Sequence, residues 1–168
     1  IGLSTMVYFS KKNIKCVGFD INKEKVKKIN SGIIPLKDLE KWFGFNIKKM
    51  VKNGYLQATT NPDDLISESF IAHFIAVPTE KDGKPYYKPL MSVLNNIAKI
   101  SNKKIKIPPL VIVESTLAPK VSDKKILPFL RKKNFQIGKN ILFSVAPRRD
   151  WFIEGGKNLE NLDRVYGS

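Results

Sequence analysis

Short apolar runs recur along the chain, separated by longer segments whose apolar residues come at helical spacing. Cys16–Phe19, residues 70–77, Leu110–Val113 and residues 141–145 are rich in Val, Ile and Phe and apolar nearly throughout. That is the composition of parallel strands buried on both faces. Helices are expected at residues 21–29, with Asn22 near the start, at residues 89–100 and at residues 121–132, while Asn61-Pro62-Asp63-Asp64 reads as a cap followed by a short helix. Residues 36–54, carrying Trp42, Phe43, Phe45, Ile47, Met50 and Val51, read as an inserted helix or two, and residues 57–60 as a small further strand. Strand and helix alternate, which predicts an α/β sheet.

The chain has 168 residues, 42% hydrophobic and 27% charged, enough for one core in a single domain of ordinary size. No apolar run approaches the roughly 20 residues of a membrane span, and no signal peptide is visible at the start, so a cytoplasmic protein is expected. The single cysteine, Cys16, cannot form an internal disulfide, and in an apolar strand it reads as a small buried hydrophobe. His73 stands alone among Phe70, Ile71, Ala72, Phe74 and Ile75 and reads as a buried strand residue. Nothing resembles the Cys and His spacing of a metal site.

The net charge of +15 raises the question of nucleic acid. Arg131, Arg148, Arg149 and Arg164 are the only arginines, so nearly all the excess is lysine. Lysine attracts phosphate but lacks the planar fork that reads guanine, and here it is scattered as on solvated helix faces. No specific nucleic-acid partner is expected.

In an open α/β sheet, ligands bind outside the carboxyl ends of the strands. Asp20 follows the first apolar run, Val77-Pro78-Thr79 ends the next long one, and Glu114-Ser115-Thr116 ends the third. Gly2 opens a helix-sized segment before the strand that leads to Asp20. A glycine opening a helix, then a strand ending on an acid that accepts from an adenosine ribose diol, is the second half of a dinucleotide-binding βαβ unit. The first half, a strand and two further glycines, would lie upstream. Each piece alone also reads as a turn, an N-cap or a solvated βα corner.

Taken in order, the pieces resemble the N-terminal NAD-binding domain of the UDP-glucose, GDP-mannose and UDP-N-acetyl-hexosamine dehydrogenase family. The residues that carry the resemblance are Gly2-Leu3-Ser4-Thr5, Val17-Gly18-Phe19-Asp20-Ile21-Asn22 with Lys25, Ile29-Asn30-Ser31-Gly32, Gly54-Tyr55-Leu56-Gln57-Ala58-Thr59-Thr60, Ala76-Val77-Pro78-Thr79 with Asp82-Gly83-Lys84-Pro85, and Val113-Glu114-Ser115-Thr116. The resemblance implies a Rossmann-like doubly wound, mostly parallel α/β sheet with helices on both faces, spatial order 3-2-1-4-5-6 and the first strand lacking. It implies one NAD-binding domain over residues 1–168, truncated at both ends, with the family's central helix and C-terminal domain beyond it.

The same resemblance assigns roles. Gly2 packs near the pyrophosphate, Asp20 holds the adenosine ribose with Lys25 nearby, and NAD is preferred to NADP because the acid repels a 2′-phosphate. Val77, Pro78, Thr79 and Ser115 belong to the cofactor side, and Thr116 sits beside the reacting carbon as the catalytic position. The implied reaction oxidises the C6 alcohol of a UDP- or GDP-sugar to a carboxylate, using a cysteine, lysine and asparagine beyond this sequence, in a homodimer. The fragment alone is then inactive. One departure stands out: relatives usually carry Pro-Glu where this chain has Pro147-Arg148-Arg149-Asp150. Arg148 and Arg149 read either as a clamp on a substrate diphosphate or carboxylate, or as a surface pair facing Asp150 and Glu154. The alternative to the enzyme is a catalytically incomplete basic Rossmann-type domain that binds nucleotides or nucleic acid.

Overall fold

The computed structural model describes residues 1–36, 39, 43, 45–65, 70–101, 107–148, 160–161 and 163–167. The chain divides into two compact units, Ile1–Leu65 with Asp150–Leu162, and Ile66–Arg149 with Asp163–Ser168.

In the first unit, helix α1 (Gly2–Lys11) leads into strand β1 (Cys16–Phe19), helix α2 (Lys23–Asn30), helix α3 (Lys48–Lys52), strand β2 (Leu56–Thr59) and a 3₁₀ turn at Pro62–Leu65. β1 and β2 are parallel, with Cys16 opposite Leu56 and Phe19 opposite Thr59. α2 starts later than its apolar pattern suggests because Asn22 is the N-cap, its side chain accepting from the Lys25 N–H at 3.0 Å. A Cβ on Gly18 would meet the Met6 sulfur at 2.7 Å, so this glycine leaves room for the Met6 side chain of α1 over β1. Val7, Tyr8, Ile29, Ile34, Leu39, Phe43, Ile47 and Leu56 form the core. Leu39, Phe43, Ile47 and α3 come from the expected inserted segment, while Trp42 lies outside the described residues. The outer side of β2 is closed by Asn30, whose amide donates to the Ala58 carbonyl and accepts the Ala58 N–H, both at 2.8 Å. A side chain here completes a strand's hydrogen bonding.

The second unit holds β3 (Ala72–Ile75), β4 (Glu80–Lys81), β5 (Lys84–Pro85), helix α4 (Lys88–Ser101), β6 (Leu110–Val113), a π-helical turn at Ser122–Ile126 running into α5 (Leu127–Lys132), and β7 (Leu142–Val145). The parallel order is β3-β6-β7. These pairings, with β2-β1 in the first unit, are the neighbours expected of strands 4-5-6 and 3-2 in the doubly wound order. Ile75, Leu90, Leu94, Ile97, Val111, Val113, Ile126, Leu130, Phe135, Ile141 and Phe143 make the core.

Three details depart from the sequence pattern. The run 70–77 yields only a four-residue strand, so Val77 and Pro78 belong to the loop beyond it. The strands are not buried on both faces: in β6 Val111 and Val113 are buried while Leu110 and Ile112 are half-exposed, and Leu142 of β7 is exposed. Residues 121–132 do not form one α-helix, because Pro128 has no N–H and its ring crowds the carbonyl of Lys124, so the preceding turn widens and Leu127 donates to Ser122 instead. Beyond the Val77-Pro78-Thr79 end, β4 and β5 form an antiparallel hairpin. Its two-residue turn puts Asp82 at φ 53° and Gly83 at φ 71°, and Asp-Gly is the residue pair that tolerates both left-handed positions.

Candidate nucleotide-binding strand ends

Asp20 extends the pairing of β1, its N–H donating to the Thr59 carbonyl at 3.1 Å. The chain turns immediately, because the Asp20 carboxylate accepts the Asn22 N–H through Oδ1 at 2.8 Å. Oδ2 lies 3.9 Å from the Lys25 ammonium, and the Asp20 side chain is 42% exposed. An exposed ion pair at that distance contributes little to stability. The carboxylate is thus fixed in direction by one backbone bond while keeping acceptor capacity toward solvent, the state a ribose-binding acid requires. The first residues of α1, beginning at Gly2, carry the amide N–H groups that a helix start leaves without intrahelical partners. A sugar diol and a phosphate are the groups that such an acid and such a helix start can receive.

In the second unit the strand-end residues are tied to one another. Glu114 continues β6 beyond Val113, donating its N–H to the Ile75 carbonyl at 2.8 Å and accepting the Arg148 N–H at 3.1 Å. The Ser115 hydroxyl receives the Val77 N–H at 2.9 Å and donates to the Val77 carbonyl at 2.7 Å. Thr79 donates its hydroxyl to the Thr116 carbonyl at 2.7 Å and accepts the Tyr86 N–H at 2.8 Å, closing the base of the β4–β5 hairpin. Ser115 is buried and Thr116 is exposed. Four of the expected residues, Val77, Thr79, Ser115 and Thr116, are therefore joined by hydrogen bonds, and Pro78 lies between two of them. Ser115 faces Val77, so its hydroxyl is occupied in joining the two loops; Thr116 is the member presented to solvent.

Arg148 is 5% exposed, which removes the surface alternative for that residue. Arg149, Asp150 and Glu154 lie outside the described residues. Two charged groups here had no expected role. The Glu114 side chain is fully buried, and the Arg164 guanidinium reaches its Oε1 at 3.4 Å from 50 positions along the chain. Glu114 sits in an apolar run before a Ser-Thr end, and nothing local announces a partner so distant in sequence.

The remaining reactive side chains are quiet. Burial pushes the Cys16 thiol up, partly offset by a hydrogen bond with Ser10, and its Sγ donates weakly to the Ile14 carbonyl at 3.4 Å; it has none of the electropositive exposure that activates a thiol. Burial pulls His73 down to about 4, and its Nε2 is buried with no partner among the described residues. Among the described residues no group of His, Cys, Asp or Glu is placed to hold a metal ion, and no helix is long and apolar enough to cross a membrane.

A parallel α/β arrangement with an acid after β1 and interlocked loops after β3 and β6 defines a dinucleotide-binding protein. Residues 1–167 match the family model described as the NAD binding domain of the UDP-glucose/GDP-mannose dehydrogenase family, and the chain belongs to that family. The UDP-N-acetyl-D-mannosamine dehydrogenase of Escherichia coli strain K12 is 33% identical over 175 residues, covering 99% of this chain and 39% of that protein. Among solved structures, the UDP-N-acetyl-mannosamine dehydrogenase Cap5O of Staphylococcus aureus matches with a TM-score of 0.78 at 28% identity, over 99% of this chain and 39% of that one. The UDP-D-ManNAc dehydrogenase of Pyrococcus horikoshii matches with a TM-score of 0.79 at 27% identity, over 99% of this chain and 38% of that one. The chain thus spans well under half the length of the proteins it matches. The Rossmann-like fold and the cofactor, NAD, are those expected.

Proposed function

We propose that this chain is the NAD-binding part of a nucleotide-sugar 6-dehydrogenase, one that oxidises the C6 alcohol of a UDP- or GDP-sugar to a carboxylate. The observation that carries the reading is the hydrogen-bonded set Val77, Thr79, Ser115 and Thr116 at the carboxyl ends of β3 and β6, in a chain of this family whose β1 ends at Asp20. Relatives named as UDP-N-acetyl-D-mannosamine dehydrogenases favour an N-acylated sugar, and the cation Arg148 in place of an acid favours the same or an anionic sugar.

When bound, NAD accepts a hydride from the alcohol carbon. The residues of this chain bind and orient. Asp20 accepts from the adenosine ribose hydroxyls and disfavours a 2′-phosphate, with Lys25 beside it, and Gly2 admits the pyrophosphate to the start of α1. Val77, Pro78 and Thr79 line the nicotinamide side without bulky groups. Ser115 holds that loop against the end of β6, and Thr116 turns its hydroxyl to the reacting carbon, where it positions substrate or a water. Fixing donor and acceptor in contact removes a large entropic part of the barrier. Arg148, with Arg149, completes the substrate side.

Residues 1–168 form one NAD-binding domain in this reading, and the working protein is a cytoplasmic homodimer. Product analysis of the whole gene product with NAD and a panel of UDP- and GDP-sugars tests it. NADH formation with a uronate product from one of them is expected; no turnover with any sugar, together with no NAD binding, overturns it.

A further inference from the structure

The buried Glu114 needs a reason. A carboxylate removed from water loses several kcal/mol of solvation, so it is kept only where a cation and hydrogen bonds compensate. Arg164 supplies a guanidinium at 3.4 Å, itself one-third exposed. It is delivered by a segment that returns to the sheet edge: Val145 and Gly167 exchange N–H···O bonds at 2.8 and 2.9 Å, and the Ser144 hydroxyl donates to the Gly167 carbonyl at 3.0 Å. The backbone of Glu114 is pinned on both sides, by Ile75 and by Arg148. Two residues later comes Thr116, exposed and held only through its carbonyl by Thr79 among the bonds described above. The Arg164–Glu114 contact therefore links residues 163–167 to the strand end that presents Thr116.

We infer that Arg164 is a positioning residue for the dehydrogenase reaction: through the buried Glu114 carboxylate it fixes the end of β6 and so the place from which Thr116 meets the reacting carbon. The inference rests on the function proposed above. Arginine suits the task because its planar fork holds a carboxylate in orientation as well as charge. A displacement at the end of β6 is carried to Thr116 by the intervening backbone, and misplacement on the order of 1 Å is costly to a reaction that depends on contact geometry.

The test is steady-state kinetics of the whole gene product with NAD and its nucleotide sugar, for Arg164→Gln, Arg164→Lys, Thr116→Ala and the Arg164→Gln/Thr116→Ala pair. Arg164→Gln should lower kcat by about tenfold to a hundredfold while leaving KM for NAD within about twofold, and Arg164→Lys should recover most of the loss. In the Thr116→Ala background, Arg164→Gln should have little further effect, since the group it positions is gone. A multiplicative double mutant, or an unchanged kcat in Arg164→Gln, overturns the positioning role while leaving the enzyme reading intact. If Arg164→Gln does not fold, Arg164→Met, which keeps the length of the side chain without its charge, reads the same coupling in the two Thr116 backgrounds by the same criterion. A wild-type protein inactive with every nucleotide sugar overturns the enzyme reading instead, and the assignment with it.

Discussion

The Ser115 hydroxyl and the Val77 peptide satisfy each other twice, the N–H of Val77 donating to Oγ and Oγ donating to the Val77 carbonyl. A single side-chain oxygen thereby takes the place of a ladder step just beyond the last paired residues of β3 and β6. Ser115→Ala leaves both groups of the Val77 peptide without this partner and should destabilise the protein by about 1–3 kcal/mol, read as a lower urea midpoint at constant m-value. NAD affinity should fall only as far as the loop loosens. Unchanged stability with sharply weaker NAD binding would move Ser115 from loop support to direct cofactor contact.

Asp20 separates charge from geometry. Asp20→Asn can keep an acceptor for the Asn22 N–H but loses the charge, whereas Asp20→Ala loses both. For the whole gene product, calorimetry should show NAD preferred to NADP in the wild type, and Asp20→Ala weakening NAD by about 1.5–3 kcal/mol, the range for hydrogen bonds to a charged group. Asp20→Asn should fall between, with most of the discrimination against NADP removed. Equal wild-type affinity for both cofactors, or an unaffected Asp20→Ala, would take Asp20 out of the site.

The places of Asp20, Val77, Thr79 and Thr116 at strand ends were legible because each lies at or shortly after the end of an apolar run, and in a parallel sheet the carboxyl ends of such runs are where ligands bind. Local chemistry also gave α2, though with Asn22 inside its first turn and not as the cap it is. What escaped depended on contacts between distant residues or on a single backbone group. Arg164 meets Glu114 across 50 positions, and no local pattern encodes that. The π-helical turn follows from one missing N–H at Pro128, overridden in the reading by the apolar spacing around it. Asp82-Gly83 did carry a hairpin signal, but strands of two residues each are too short to show alternation. Arg148 stayed open between a clamp and a surface pair because its burial, beside a backbone bond to Glu114 at the end of a different strand, is not displayed by the residues around it.

Stability should rise with pH across the mildly acidic range, and His73 is one named cause. Its pKa is pulled down to about 4 in the folded protein by burial, against about 6.5 in an unfolded chain. Between those values the unfolded state binds the extra proton, so the contribution of His73 is complete above about pH 6.5 and is lost as pH falls toward 4, amounting to about 3 kcal/mol. His73→Phe removes the titration and also the buried Nε2 that has no partner among the described residues. The variant should match or exceed wild-type stability near pH 7 and lose less between pH 6.5 and pH 4.5. Parallel stability curves for the two proteins over that range would contradict the assignment.

Arg148 decides how the substrate side is built, and its burial changes which variant can ask the question. Arg148→Glu replaces a buried cation by an anion, and leaving a buried charge without its compensation costs about 3–5 kcal/mol, a large part of an ordinary domain's stability. That variant should express poorly. Arg148→Gln keeps hydrogen-bonding capacity without the charge, and its backbone N–H still reaches the Glu114 carbonyl as in the wild type. If the guanidinium holds the nucleotide sugar equally in ground and transition states, Arg148→Gln raises KM for the sugar by about tenfold with kcat and KM for NAD nearly unchanged. An unaltered KM accompanied by a lower urea midpoint would instead make Arg148 a structural cation, and the preference for an anionic or N-acylated sugar would then have to come from elsewhere in the enzyme.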